Sequence, residues 1–230
     1  VIASLQMYDR PSTAGANDRL WARVRDRLRA AGLKAPEALT RGGDLLDHWL
    51  SPDLVLSQTC GLPYRTRLHG RVVRIATPDY GLPGCPPGHY CSHLVVRADD
   101  PRDRVEDFAG APIAINSRDS QSGWASLAHM APHLADSPIL ETGAHAASIP
   151  AVASGRADLA AIDAQTWRLL EAEGATRGVR VIGSTPPTPG LPLIAAAGSD
   201  AGTLRDAVAG AIAALAPADR AVLGLRGLVD

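Results

Sequence analysis

Long apolar runs are missing from this chain of 230 residues. None approaches the ~20 residues that an α-helix needs to cross a bilayer, so no helical span is expected. Lysine is almost absent as well: Lys34 is the only one, and arginine supplies the rest of the 23 basic residues, set against 24 acidic ones. That balance excludes a nucleic-acid surface or a polybasic membrane patch as the organising feature. The run "DRLWARVRDRLRAAG" looks basic, but Leu20, Trp21, Val24, Leu28 and Ala31 recur at helical spacing. Its arginines form the solvated outer face of a helix, partly paired with Asp18 and Asp26. Cysteine is scarce, with only Cys60, Cys85 and Cys91, so at least one stays unpaired. Cys60 and Cys85 both lie in loops after strands, which fits either one disulfide or two reduced thiols. No repeat or low-complexity tract is present. No secretory signal is visible either, because "VIASLQM" already reads as a core strand. The protein is then periplasmic if a signal was removed upstream of Val1, and cytoplasmic otherwise.

Several signatures of chemistry are missing too. There is no G-x-S-x-G elbow, so a hydrolase built from Ser122, His145 and Asp163 lacks its usual frame. "GLPGCPPG" has neither the spacing nor the following helix of a nucleotide-binding loop. Cys85, His89, Cys91 and His93 cluster in sequence, but without C-x-x-C or H-x-x-x-H spacing and in a proline-broken segment. No metal and no cofactor are expected.

What is present is alternation. Apolar strand patterns ("DLVLS", "RVVRIAT", "SHLVVR", "PIAIN", "ADLAAID", "VRVIG", "LPLIAAAG") alternate with helical ones, which predicts α/β layers with largely parallel sheets. Two helices close the chain, near 203–215 and 217–225, with Pro217 suited to a first turn. A strand crosses into the second half around Leu94–Arg97, and "STPPTPGLPLIA" leads out again. The organisation predicted is one lobe from residues 1–97 and 184–230, with a second lobe, 98–183, inserted into it. Ligands in open α/β sheets bind beyond the carboxyl ends of strands, and two such lobes can face each other across a cleft. The two crossovers are the expected hinges.

The stretch "NSRDSQSGWASLAHM" sits where an apolar strand ends and a helix begins. The first N–H groups of a helix lack internal partners and carry partial positive charge. Ser120, Gln121, Ser122 and Gly123 at that corner read as an ordinary N-cap or as an anion pocket. His145 opens a later helix and is either solvated or a donor to that anion. Asp163 reads as a cap for "AQTWRLLEAEG" or as a ligand contact, two roles that are compatible.

These residues resemble a family. "ETGAHAASIPAVASGRADLAAID" and "SQSGW" are similar to segments of the phosphonate- and phosphite-type solute-binding proteins of ABC importers, and "LSQTCG" and "PDYGLPG" resemble their first-lobe turns. The resemblance implies a type II periplasmic-binding fold, two α/β lobes with an inserted second lobe and a ligand cleft between them. It also implies capture of a small anionic or zwitterionic solute, phosphonate- or phosphate-like, for an ABC permease, by a monomer that is no enzyme. Ser120, Gln121 and Ser122 match the anion-holding turn, with Gln121 where a hydroxyl residue is usual. His145 matches a histidine aimed at the anion, and Asp163 an acidic position able to pair with a ligand amine. Thr59, Tyr80 and Tyr8 are the implied first-lobe contacts. The alternative implied by the same fold is a cytosolic enzyme resembling menaquinone-pathway enzymes or thiamin-pyrimidine synthases.

Overall fold

A computed structural model describes all residues, Val1–Asp230. The chain divides into two compact units, one made of Val1–His89 and Pro189–Asp230, the other of Tyr90–Thr188.

The first unit is built on a five-stranded sheet. Its strands lie in the order Ile2–Ser4, Leu54–Gln58, Leu193–Ala196, Val72–Asp79 and Gly227–Val229. Ile2–Ser4 and Leu54–Gln58 are parallel, whereas Leu193–Ala196 runs antiparallel to both of its neighbours. Side chains alternate across a strand, so Leu193 and Ala195 join one core while Ile194 and Ala196 join another. The helices Ala14–Ala30 and Ala201–Ala213 cover the first face, and Trp49 and Leu68 lie on the second. Leu20, Trp21, Val24 and Leu28 are the buried stripe of the long helix. Its arginines pair outward, Arg25 with Asp26 and Glu37, and Arg41 joins Asp18 from a neighbouring loop.

The second unit repeats the plan with the order Ile139–Glu141, Ile113–Ile115, Leu159–Asp163, Ser92–Arg97 and Val179–Ser184. Leu94, Val96, Ile113, Ile115 and Leu159 pack on one face, and Val95, Ala114, Ala160 and Ile162 on the other. Both faces are covered, which is why these strands read as unbroken apolar runs.

Two expectations change here. The sheets are mixed: Ser92–Arg97 and Leu193–Ala196, which enter from the crossovers with no helix before them, run antiparallel to their neighbours. A parallel strand needs a long crossover connection, and a direct entry has none. The boundaries also move, from 97/98 and 183/184 to 89/90 and 188/189. Ser92–Arg97 is paired on both sides within the second sheet, to Leu159–Asp163 and to Val179–Ser184. Leu94–Arg97 therefore lies within the second sheet, away from the boundary between the units. Cys60, Cys85 and Cys91 form no disulfide.

Candidate functional site

The polar corner of the second unit begins where the strand Ile113–Ile115 ends. Gln121–Ala125 forms a π turn, wider than an α turn, with the Ala125 N–H donating to the Ser120 carbonyl at 3.0 Å. The helix then continues as Ser126–Met130. Ser120 caps this start, its Oγ accepting the Gly123 N–H at 3.0 Å. The Ser120 and Ser122 hydroxyls are 3.4 Å apart, and Ser122 Oγ is 2.9 Å from Nε2 of His145. Ser120, Ser122 and His145 are thus brought together. Ser92, at the start of the strand Ser92–Arg97 two places along the sheet, donates its hydroxyl to the Ser122 carbonyl at 2.9 Å and so fixes the turn.

His145 is the first residue of the helix His145–Ala153. Burial disfavours its charged form and pushes its pKa down to about 4, with the Ala161 backbone working the other way. The ring is neutral at physiological pH. Its Nδ1 is enclosed without a hydrogen-bond partner, and so is Oδ1 of Asn116 nearby. A Cβ on Gly123 would stand 1.9 Å from that oxygen and 3.2 Å from Cε1 of His145. Only glycine lets the turn lie this close to both side chains.

Gln121 and Asp163 are placed otherwise. Gln121 turns its amide into the turn, Nε2 donating to Ser126 Oγ at 3.0 Å, and so braces the helix start. Asp163 ends the strand Leu159–Asp163, is 2% exposed, and caps the next helix through the Thr166 N–H at 2.8 Å. His145 Nδ1 has no carboxylate on it, so Ser122, His145 and Asp163 do not assemble into a catalytic triad.

In the first unit, Tyr8 and Tyr80 meet edge to face with ring centroids 5.0 Å apart. Gln58 donates from Nε2 to the Tyr80 hydroxyl at 3.2 Å and to the Leu191 carbonyl at 3.1 Å. Thr59 is fully buried at the end of the strand Leu54–Gln58; its N–H donates to the Pro192 carbonyl at 3.1 Å and its hydroxyl to the Cys60 carbonyl at 3.4 Å. Thr59 follows Gln58 directly in the chain. No group of three or more His, Cys, Asp or Glu side chains could hold a metal, and no helix is long and apolar enough to cross a membrane.

Sequence reasoning missed Gln58, Ser92 and Asn116. Asn116 stood inside the quoted corner, but only the fold reveals that its amide is buried against Gly123. Gln58 and Ser92 carry no spacing signal at all.

Residues 57–229 match the family model of ABC transporter, phosphonate, periplasmic substrate-binding proteins. The chain belongs to this family. It is a substrate-binding protein that captures a ligand for an ABC importer, and its fold is the two-lobed type II periplasmic-binding fold. Solved structures agree on that fold. The binding-protein component of a Pseudomonas aeruginosa ABC phosphonate transporter is 18% identical, with 99% of this chain and 80% of that one covered and a TM-score of 0.68. PhnD1 from Prochlorococcus marinus in complex with methylphosphonate is 14% identical over 100% and 92% of the two chains, TM-score 0.71. A Xanthomonas citri protein bound to ATP is 15% identical over 100% and 90%, TM-score 0.72. Among curated proteins none matches the chain in sequence.

Proposed function

We propose that this protein captures a small phosphonate- or phosphate-like anion in the periplasm, as a monomer and without chemistry of its own, and delivers it to an ABC permease. The observation that carries this is the convergence of Ser120 Oγ, Ser122 Oγ and His145 Nε2 at one π turn. In the tautomer protonated on Nε2, His145 donates to Ser122 Oγ, and that tautomer leaves the serine hydrogen to an oxyanion. The Ser120 oxygen accepts the Gly123 N–H, and its hydrogen can point at the same oxyanion. Hydroxyls and backbone N–H groups hold an oxyanion well when water is excluded. Gln121 supports the turn and Asp163 the neighbouring strand end. Thr59, Tyr80 and Tyr8 are the proposed first-unit contacts, with the tyrosines offering an apolar edge to whatever the anion carries.

Calorimetric titration of the purified protein with methylphosphonate, phosphate, methanesulfonate and acetate tests the reading. Binding of the two phosphorus oxyanions ahead of the others supports it. Turnover of a phosphonate or phosphate ester, or no binding of either phosphorus oxyanion, overturns it.

A further inference from the structure

Asp79 closes the strand Val72–Asp79, one residue before Tyr80. A single carboxylate oxygen, Oδ1, accepts the N–H of Gly81 at 2.9 Å and that of Gly88 at 3.3 Å. The two ends of the loop 81–88 are thus held on one atom. Three prolines, Pro83, Pro86 and Pro87, remove donors from this loop, and the backbone bonds Cys85 to Leu82 and His89 to Pro86 are short turns. The Asp79 carbonyl accepts the Arg226 N–H at 2.8 Å and ties the loop base to the last strand, where Gly227 pairs with Asp79 itself.

The loop is pressed against that last strand. Gly81 has φ +54 with the Arg226 guanidine on it, and Gly88 has φ +69 with the Val229 side chain on it; a Cβ would stand 1.9 Å and 2.0 Å from them. Gly88 also offers its carbonyl to the Gly190 N–H at 2.8 Å. Tyr80 is consequently held twice, by its backbone through the Asp79 loop and by its hydroxyl and ring through Gln58 and Tyr8.

We propose that Asp79 is a positioning residue for ligand capture: its carboxylate gathers the loop 81–88 so that Tyr80 is presented in one fixed pose. This rests on the reading of Tyr80 as a first-unit ligand contact. The carboxylate itself touches no ligand. It acts by removing alternative loop conformations, so that capture does not bear the entropy of ordering Tyr80.

The test uses the full chain and methylphosphonate as probe, with calorimetry and amide hydrogen exchange on Asp79→Ala, Asp79→Asn, Tyr80→Ala and the double variant. Tyr80→Ala is expected to weaken binding about tenfold, the range of a well-packed aromatic contact. Asp79→Ala should weaken it by a similar factor and speed exchange at Gly81 and Gly88. Asp79→Asn keeps the acceptor oxygen and should restore both readouts, and Asp79→Ala should add nothing once Tyr80 is gone. Normal affinity in Asp79→Ala beside a weak Tyr80→Ala overturns the proposal, as does a further loss in the double variant or failure of Asp79→Asn to rescue. Unchanged affinity in Tyr80→Ala removes Tyr80 as a contact and the proposal with it. No binding of methylphosphonate by the unaltered protein would instead sink the functional reading first. If Asp79→Ala does not fold, Asp79→Ser takes its place in every arm.

Discussion

The hydroxyl of Ser122 lies 2.9 Å from Nε2 of a histidine, His145, that burial keeps neutral. A serine and a histidine this close suggest nucleophilic chemistry, but the third member is spent elsewhere, on the Thr166 N–H. What remains is a serine and a neutral histidine bonded to each other beside a capped turn. Ser122→Ala removes one donor and should cost on the order of 1–3 kcal/mol of anion binding. His145→Ala should cost a comparable amount, and the double variant less than the sum, because the two groups bond to each other. Calorimetry on the three variants checks this; unchanged affinity in both single variants would remove the corner from the binding site.

Acidity should act on the protein through the same histidine. The folded pKa of His145 is about 4 against an ordinary 6.5, so between those values the unfolded chain binds a proton that the folded one refuses. Stability is complete above about pH 6.5, falls as the pH drops toward about 4, and then stops falling on this account. Burial also lowers the pKa of His93, which adds in the same direction. Urea midpoints measured from pH 7.5 to 4.5 should therefore decline, and His145→Gln should flatten part of the decline. A midpoint insensitive to pH in this window would contradict the enclosed, neutral ring.

Gly123→Ala tests how tightly the turn is packed. The new Cβ would meet Asn116 Oδ1 at 1.9 Å, far inside contact distance, with His145 next to it. Destabilisation of about 1–3 kcal/mol is expected from overpacking of this kind, read from chemical unfolding, together with weaker anion binding. Asn116→Ala in the same chain should recover part of the stability by vacating the space.

Asp163→Ala should cost about 1 kcal/mol of stability, the usual worth of a helix cap, while Asp163→Asn retains an acceptor for the Thr166 N–H and should cost less. Methylphosphonate carries no amine, so its affinity should survive Asp163→Asn. A tenfold loss there would make the carboxylate a ligand contact after all.

Much of the architecture was legible because both sheets are covered on two sides. Leu94, Val95 and Val96 all had to be apolar, whichever way each one points, and the strand stood out. The same property hid the boundary. "SHLVVR" looks identical whether it pairs with the first sheet or the second, and only its partners, Leu159–Asp163 and Val179–Ser184, decide. The strand Gly227–Val229 has no signature in the sequence. Two apolar residues after a glycine carry no period, and the strand is ordered by pairing with Thr77–Asp79. At the corner, the serines and the histidine were visible by type and position. The inward turn of Gln121 toward Ser126 and the enclosure of Asn116 Oδ1 arise from tertiary packing, which leaves no trace in spacing.

The strand Leu193–Ala196 lies at the centre of the first sheet, between Leu54–Gln58 and Val72–Asp79. A ribosome therefore makes most of that sheet early and leaves its middle empty until residue 196 is synthesised. The second unit, continuous from Tyr90 to Thr188, has by then been made in full. Domains fold as units while the chain emerges, and non-local pairing is slow. The inserted unit is thus ready before its host, and the N-terminal residues wait, half-paired, for a central strand made some hundred residues after Val72–Asp79. Chaperone demand during synthesis should concentrate on those waiting residues, and a stop codon just before Leu193 should release a chain whose second unit protects its amides while its first does not.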